Sequence, residues 1–353
     1  MRRIALVGLG AAARHIHLPA YAGLRGARVV AGCDSAASTQ HFDFPLHDSL
    51  ERMLDQERVD IVVIATPTES HFPLARLCLE RGIHVLCEKP FADTVAQAAE
   101  LVRMADARGV RIAVNNEFRF MRCHAAAKRE IGTAGFGDLR FLNMHQTFRA
   151  SAQTEAGWRG DDPERTCKEF GTHVFDLCRF FYGEEPITLH CRMPRPDGGS
   201  GPDMLNLIDL EFPGDRWARI TLDRLTRGRH RYLDVRLDGS HASIETELGG
   251  HLALGIGVNA SSRRPFVDFD LSMGGRAFRY DGERKRKLAA DPLDLFAAAT
   301  RALMQQFLAA LDAGVAPPCE GRDNLRTLAL MRAAYEAASG NGTIDLAFLR
   351  DLP

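Results

Sequence analysis

Glu88-Lys89-Pro90 closes the apolar run His84-Val85-Leu86-Cys87, which puts a lysine at the mouth of a strand. The chain has five lysines among its 45 basic residues, so arginine is its default cation and a lysine kept here invites a chemical reason. A guanidinium does not release its proton near neutrality, whereas a partly desolvated ammonium can have its pKa lowered enough to shuttle one. Further on, Glu169 and His173 stand at i and i+4 of a helical pattern, on one face, with Asp176 three residues beyond and close to it. A carboxylate beside an imidazole raises its basicity and fixes its orientation, which suits proton transfer from a carbinol hydroxyl. Phe170, Val174, Leu177 and Phe181 make the buried stripe of the same helix.

A third group binds instead of reacting. Gly8-Leu9-Gly10-Ala11-Ala12-Ala13 follows the first apolar strand and opens a helical segment. The first glycine allows a tight turn, the second lets backbone approach a pyrophosphate, and the third position needs only a small residue, which Ala13 supplies. Unpaired amides at the helix N-terminus would hold the phosphates. The second strand ends at Asp34, where a carboxylate can accept from both ribose hydroxyls and repel a 2'-phosphate. That favours NAD and leaves NADP open, and Asp34-Ser35 also reads as a plain turn.

These groups need elements to position them. Strands at Ile4–Val7, Arg28–Cys33, Asp60–Ala65, His84–Cys87 and Arg111–Val114 alternate with helical patterns at Ala11–Leu24, Leu50–Asp55, Ser70–Arg81 and Val95–Arg108. Such βαβ alternation specifies a parallel sheet covered on both faces. A helix at Met121–Ile131 and a strand at Leu139–Thr147 come next, and the His173 helix spans Glu169–Tyr182. Strands then follow without helices between them: Thr188–Met193, Met204–Phe212, Trp217–Leu225, Leu233–Leu237 and Ala242–Glu245. That pattern predicts an open, mostly antiparallel sheet. Two helical patterns, Leu293–Ala313 and Asn324–Ala338, follow. The expected organisation is a dinucleotide-binding domain over 1–120 and an α/β domain over 121–353, with the last helices packing back on the first.

With 353 residues, a net charge of -1 and a pI near 6.9, no global attraction to nucleic acid or an anionic membrane is expected. The basic clusters Arg224–Arg231 and Glu283–Lys287 read as edge charges of strands. Eight cysteines scattered without CxxC spacing imply reduced thiols and a cytoplasmic location. No stretch is long and apolar enough for a membrane span, and no metal-ligand spacing stands out.

Together with Ala65-Thr66-Pro67-Thr68-Glu69-Ser70-His71, Asn115-Asn116-Glu117-Phe118-Arg119-Phe120, Trp158-Arg159, the helix Glu169-Phe170-Gly171-Thr172-His173-Val174-Phe175-Asp176 and the closing Ala333-Ala334-Tyr335-Glu336-Ala337-Ala338, these motifs resemble the Gfo/Idh/MocA family of oxidoreductases. The resemblance runs over nearly the whole chain. It implies a Rossmann domain, a C-terminal domain whose open sheet makes a homodimer or homotetramer interface, and a sugar or cyclitol held against the nicotinamide. It makes Lys89 and His173 the catalytic pair, with Glu169 where the family usually has aspartate. Cofactor contacts fall on Gly8, Gly10, Ala11, Ala12, Asp34, Thr66, Pro67, His71, Glu88, Lys89 and Asn116. Substrate contacts fall on Lys89, Arg119, Trp158, Arg159, Glu169 and His173. Asp161–Cys167 departs from the glycine run common before this helix.

The leading expectation is hydride transfer between a secondary alcohol and NAD. A redox-neutral enzyme with retained NAD (glycoside cleavage, elimination or epimerisation) and a non-catalytic dinucleotide or sugar sensor are the alternatives.

Overall fold

Short runs of aliphatic and β-branched residues, buried on both faces, build the first sheet, because a parallel sheet has no wet side to alternate with. The computed structural model describes residues 1–35, 41–148, 162–195, 201–228, 231–258 and 265–353, with 250–258 and 265–273 described by backbone alone. The first sheet contains β1 (Arg2–Val7), β2 (Ala27–Cys33), β3 (Leu46–His47), β4 (Ile61–Ile64), β5 (His84–Cys87) and β6 (Ile112–Val114). These strands pair in parallel in the order β3-β2-β1-β4-β5-β6, the doubly wound arrangement. The order reverses beside β1, so the crevice at the carboxyl ends of β1 and β4 is where such sheets bind ligands.

In chain order the helices are α1 (Leu18–Tyr21), α2 (Leu50–Gln56), α3 (His71–Glu80), α4 (Val95–Arg108), α5 (Arg122–Glu130), α6 (Thr172–Tyr182), α7 (Leu295–Ala313) and α8 (Gly321–Ser339). The Thr94 and Gln97 side chains cap α4 reciprocally, and Gly109 ends it with φ at +64°. Two helices carry a π-turn at their start: Ala13–His17 leads into α1, and Cys167–Gly171 into α6. In the first, Leu18 N bonds to Ala13 O, five residues back.

The chain forms two compact units. One comprises Met1–Phe120, Cys167–Leu189 and Phe296–Pro353; the other comprises Met121–Thr166 and His190–Leu295. The second is therefore narrower than 121–353. Burial explains the difference: Ala297, Leu303, Met304, Phe307 and Leu308 of α7 share one core with Ile4, Leu6, Ile61 and Val63.

The second unit is built on β7 (Leu139–Thr147), β8 (Thr188–Arg192), β9 (Leu205–Phe212), β10 (Arg216–Asp223), β11 (Arg231–Gly239), β12 (Ser243–Val258), β13 (Pro265–Asp281) and β14 (Arg284–Ala290). They lie in the order β14-β13-β12-β11-β7-β10-β9-β8. β7 and β10 are parallel, while β9–β10, β7–β11, β11–β12, β12–β13 and β13–β14 are antiparallel. Asn206, Ile208, Leu210 and Phe212 of β9 face inward and their neighbours are more exposed, as a half-buried strand requires. The antiparallel β12–β13–β14 run exceeds the sequence expectation, in which strands ended at Glu245. Gly249, Gly250, Gly255 and Gly257 dilute the strand signal there.

Candidate active site

Gly8 directly follows β1 with φ at +85°, and a Cβ there would lie 2.7 Å from Ala65 O, so only glycine fits the turn. Gly10 faces open space: nothing lies within 4 Å of where its Cβ would be. Asp34, just past β2, accepts from Leu9 N at 2.7 Å, and Arg14 Nε donates to Leu9 O at 2.7 Å. Ala11 and Ala12 open the helix. The turn is thus held from both sides around a glycine with room for a phosphate, which fits a dinucleotide.

After β4, Thr66 Oγ1 accepts from Ser70 Oγ at 2.6 Å, while Pro67 is exposed. His71 is buried, with Nδ1 2.8 Å from Pro90 O and Nε2 2.9 Å from Thr66 O. It therefore ties the loop after β4 to the loop after β5.

Glu88 and Lys89 follow β5. Glu88 Oε1 is met by His17 Nε2 at 2.7 Å and by Asn115 Nδ2 at 2.9 Å; its Oε2 accepts from Lys89 N at 3.2 Å. A carboxylate only accepts, so His17 donates from Nε2, and its Nδ1 lies 2.9 Å from the Tyr21 hydroxyl oxygen. Burial alone would raise the Glu88 carboxyl; the hydrogen bond and charge of His17, the charge of Lys89 and the Asn115 amide outweigh it and hold it at about 2. Lys89 Nζ donates to Glu169 O at 3.4 Å, which brings the ammonium to the π-turn ahead of α6.

His173, on α6, is 3% exposed, and its ring lies on Phe118 with centroids 3.9 Å apart. Burial, then the charge of Lys89, lowers its pKa well below the usual value, so the ring is neutral. Among the described residues its Nδ1 has no hydrogen-bond partner. The Glu169 carbonyl makes a contact with Lys89. Asp176 is engaged elsewhere, accepting from Arg119 Nε and Nη2 at 2.6 Å each and from Asn116 Nδ2 at 2.7 Å. Arg119 also meets Asp323 at 2.8 Å, so its guanidinium is committed to protein carboxylates. Trp158 and Arg159 lie outside the described residues.

Five residues that the sequence did not single out for the site stand in it: His17, Asn115, Glu117, Phe118 and Thr172. The i, i+4 pair His17–Tyr21 and the charged Glu117 between Val114 and Phe118 were the available signals. Asn115 Oδ1, Asn116 Oδ1, Glu117 Oε2, Thr172 Oγ1 and His173 Nδ1 are all buried without a partner among the described residues. Orphaned polar atoms cost about 1–3 kcal/mol each.

A doubly wound sheet with a glycine turn at its switch point defines a dinucleotide-binding protein. The chain belongs to the Gfo/Idh/MocA family: residues 2–116 match the model of the oxidoreductase family with an NAD-binding Rossmann fold, and residues 124–245 match the GFO/IDH/MocA C-terminal domain. It is thereby an oxidoreductase with an NAD-binding Rossmann domain. A D-apiose dehydrogenase of Paraburkholderia graminis is 27% identical, over 97% of this chain and 89% of its own length. An inositol 2-dehydrogenase of Rhizobium meliloti is 23% identical, over 98% and 99%. An Agrobacterium radiobacter oxidoreductase, crystallised with NAD+, L-tartaric acid and magnesium, shares the fold with a TM-score of 0.81 at 20% identity, covering 98% of each chain.

Proposed function

We propose that the protein oxidises a secondary alcohol of a sugar or cyclitol with NAD, using Lys89 and His173. The carrying observation is the approach of Lys89 Nζ to Glu169 O, which sets an ammonium beside the turn leading to a buried neutral imidazole. Bound NAD supplies the hydride acceptor. Lys89 holds the substrate oxygen and stabilises the alkoxide character that develops there. His173 takes the hydroxyl proton. Glu169 acts through its carbonyl by holding Lys89, and Asp34 favours NAD over NADP through the ribose hydroxyls. The dehydrogenase names of relatives on D-apiose and inositol support the substrate class.

We also infer a reducing cytoplasm, since all eight cysteines are free and buried. Self-association would use the sheet face bearing Phe141, Asn143 and Trp217, with Leu207 43% exposed. Among the described residues no helix is long and apolar enough to cross a membrane.

Reduced-nicotinamide absorbance with NAD or NADP and a panel including D-apiose and inositols tests the reading. A signal with NAD on one polyol class is expected. Substrate turnover without net dinucleotide reduction would instead support redox-neutral chemistry.

A further inference from the structure

His17 is the last residue of the Ala13–His17 π-turn, which begins where the glycine turn ends. Such turns are rare and cluster at functional sites. The residue is fully buried, and its Nε2 reaches Glu88 Oε1 at 2.7 Å. The same oxygen accepts from Asn115 Nδ2 at 2.9 Å, and Glu88 Oε2 accepts from the Lys89 amide at 3.2 Å. One carboxylate therefore joins the turn after β1 to the ends of β5 and β6. Both side-chain donors are held from behind by α7. Arg301 donates to Pro19 O at 2.6 Å and Ala20 O at 2.7 Å, which fixes the helix that continues from His17, and Asn115 Nδ2 also meets Thr300 Oγ1 at 3.3 Å. A direct polar link thus runs from the segment that follows the glycine turn to the backbone of Lys89, all of it inside one compact unit.

We propose that His17 is a positioning residue for the oxidation: through Glu88 it fixes the Lys89 backbone and so aims the ammonium. The proposal rests on the reading that Lys89 acts at the substrate oxygen. The ammonium sits at the end of a long side chain with much rotamer freedom, and its bond to Glu169 O is long at 3.4 Å. Its placement therefore depends on how firmly its own Cα is held. Without the His17 donor, Glu88 Oε1 keeps only Asn115, and the carboxylate is free to swing Oε2 off the Lys89 amide. A reacting group misplaced by an ångström loses about a hundredfold in rate. His17 is buried away from substrate, so it acts only through Glu88 and Lys89.

The test is a double-mutant cycle on the polyol that the panel identifies. His17→Leu removes the donor, and His17→Gln restores one at similar reach. His17→Leu should lower kcat about thirtyfold with NADH affinity, read by fluorescence, within about threefold of wild type; His17→Gln should stay within about threefold in both. In a Lys89→Ala background, His17→Leu should change the residual kcat less than about twofold, because the group it acts through is gone. A full drop in that background, or equal losses of kcat and NADH affinity in His17→Leu, overturns the proposal. Wild-type turnover in Lys89→Ala overturns the reading of Lys89 itself, and the proposal with it. A second readout needs no turnover. The chain has five lysines, so their methyl-labelled amines resolve by NMR, and the Lys89 signal is the one lost in Lys89→Arg. It should move in His17→Leu and return in His17→Gln; an unmoved signal overturns the proposal. If His17→Leu does not fold, Glu88→Gln takes its place, since an amide has one acceptor oxygen and cannot serve both His17 and the Lys89 amide. The same kcat loss and signal shift are expected of it, and wild-type values of both overturn the proposal.

Discussion

The His173 imidazole lies nearly flat on the Phe118 ring, with the planes inclined by 14° and the centroids 3.9 Å apart. Stacking, rather than a carboxylate on Nδ1, thus fixes the ring that we propose takes the hydroxyl proton. Such a contact contributes about 0.5–1.5 kcal/mol beyond burial, and small misplacement of a reacting group is expensive in rate. Phe118→Leu is expected to lower kcat about tenfold while leaving NADH affinity near wild type. Equal losses in both would show Phe118 to be a general packing residue.

The neutral His173 also predicts a pH dependence of stability. Burial, then Lys89, hold its pKa well below the ordinary value in the folded chain, whereas the unfolded chain binds a proton near about 6.5. The contribution is therefore present above about pH 6.5 and is lost as pH falls toward the folded value, at up to about 1.4 kcal/mol per unit. Urea unfolding at about pH 7 and pH 5 should show a smaller loss for His173→Gln than for wild type. An identical loss would mean that His173 does not carry the effect.

Arg119 and Asp176 form a two-pronged pair in which Asp176 is 1% exposed and burial pushes its carboxyl upward against the arginine. Removing the arginine strands that carboxyl, so Arg119→Met should cost about 3–5 kcal/mol in unfolding free energy. Arg119→Lys should recover only part of it, since an ammonium cannot reproduce the fork. A thermal melt near wild type for Arg119→Met would contradict the pairing.

Much of the first unit was legible in the sequence because its strands are short apolar runs punctuated by glycine, and Lys89, His173 and Gly8 carry recognisable motifs. What was not legible depends on contacts distant along the chain. Arg119 looked available for substrate until Asp176 and Asp323, far away in sequence, came to meet it. Glu169 and His173 stand at α-helical spacing in the sequence, whereas the Cys167–Gly171 segment that carries Glu169 is a π-turn that alters that spacing. His17 had no visible partner until β5 delivered Glu88. In β12, alternation was hidden by glycines and only pairing with β13 reveals the strand.

Asp34 holds the glycine turn through Leu9 N and stands where the adenosine ribose is expected. Asp34→Ser should weaken NAD binding about tenfold and narrow the gap to NADP, as isothermal titration would read. Unchanged discrimination would remove Asp34 from cofactor selection.

The most direct test of the account compares Lys89→Ala and Lys89→Arg on the identified polyol, with NADH affinity measured alongside. Both variants are predicted to lose about a hundredfold or more in kcat while binding NADH within a few-fold of wild type, because a guanidinium keeps the charge but cannot take the ammonium's place at the substrate oxygen. Near-wild-type turnover in either variant would contradict the assignment of Lys89.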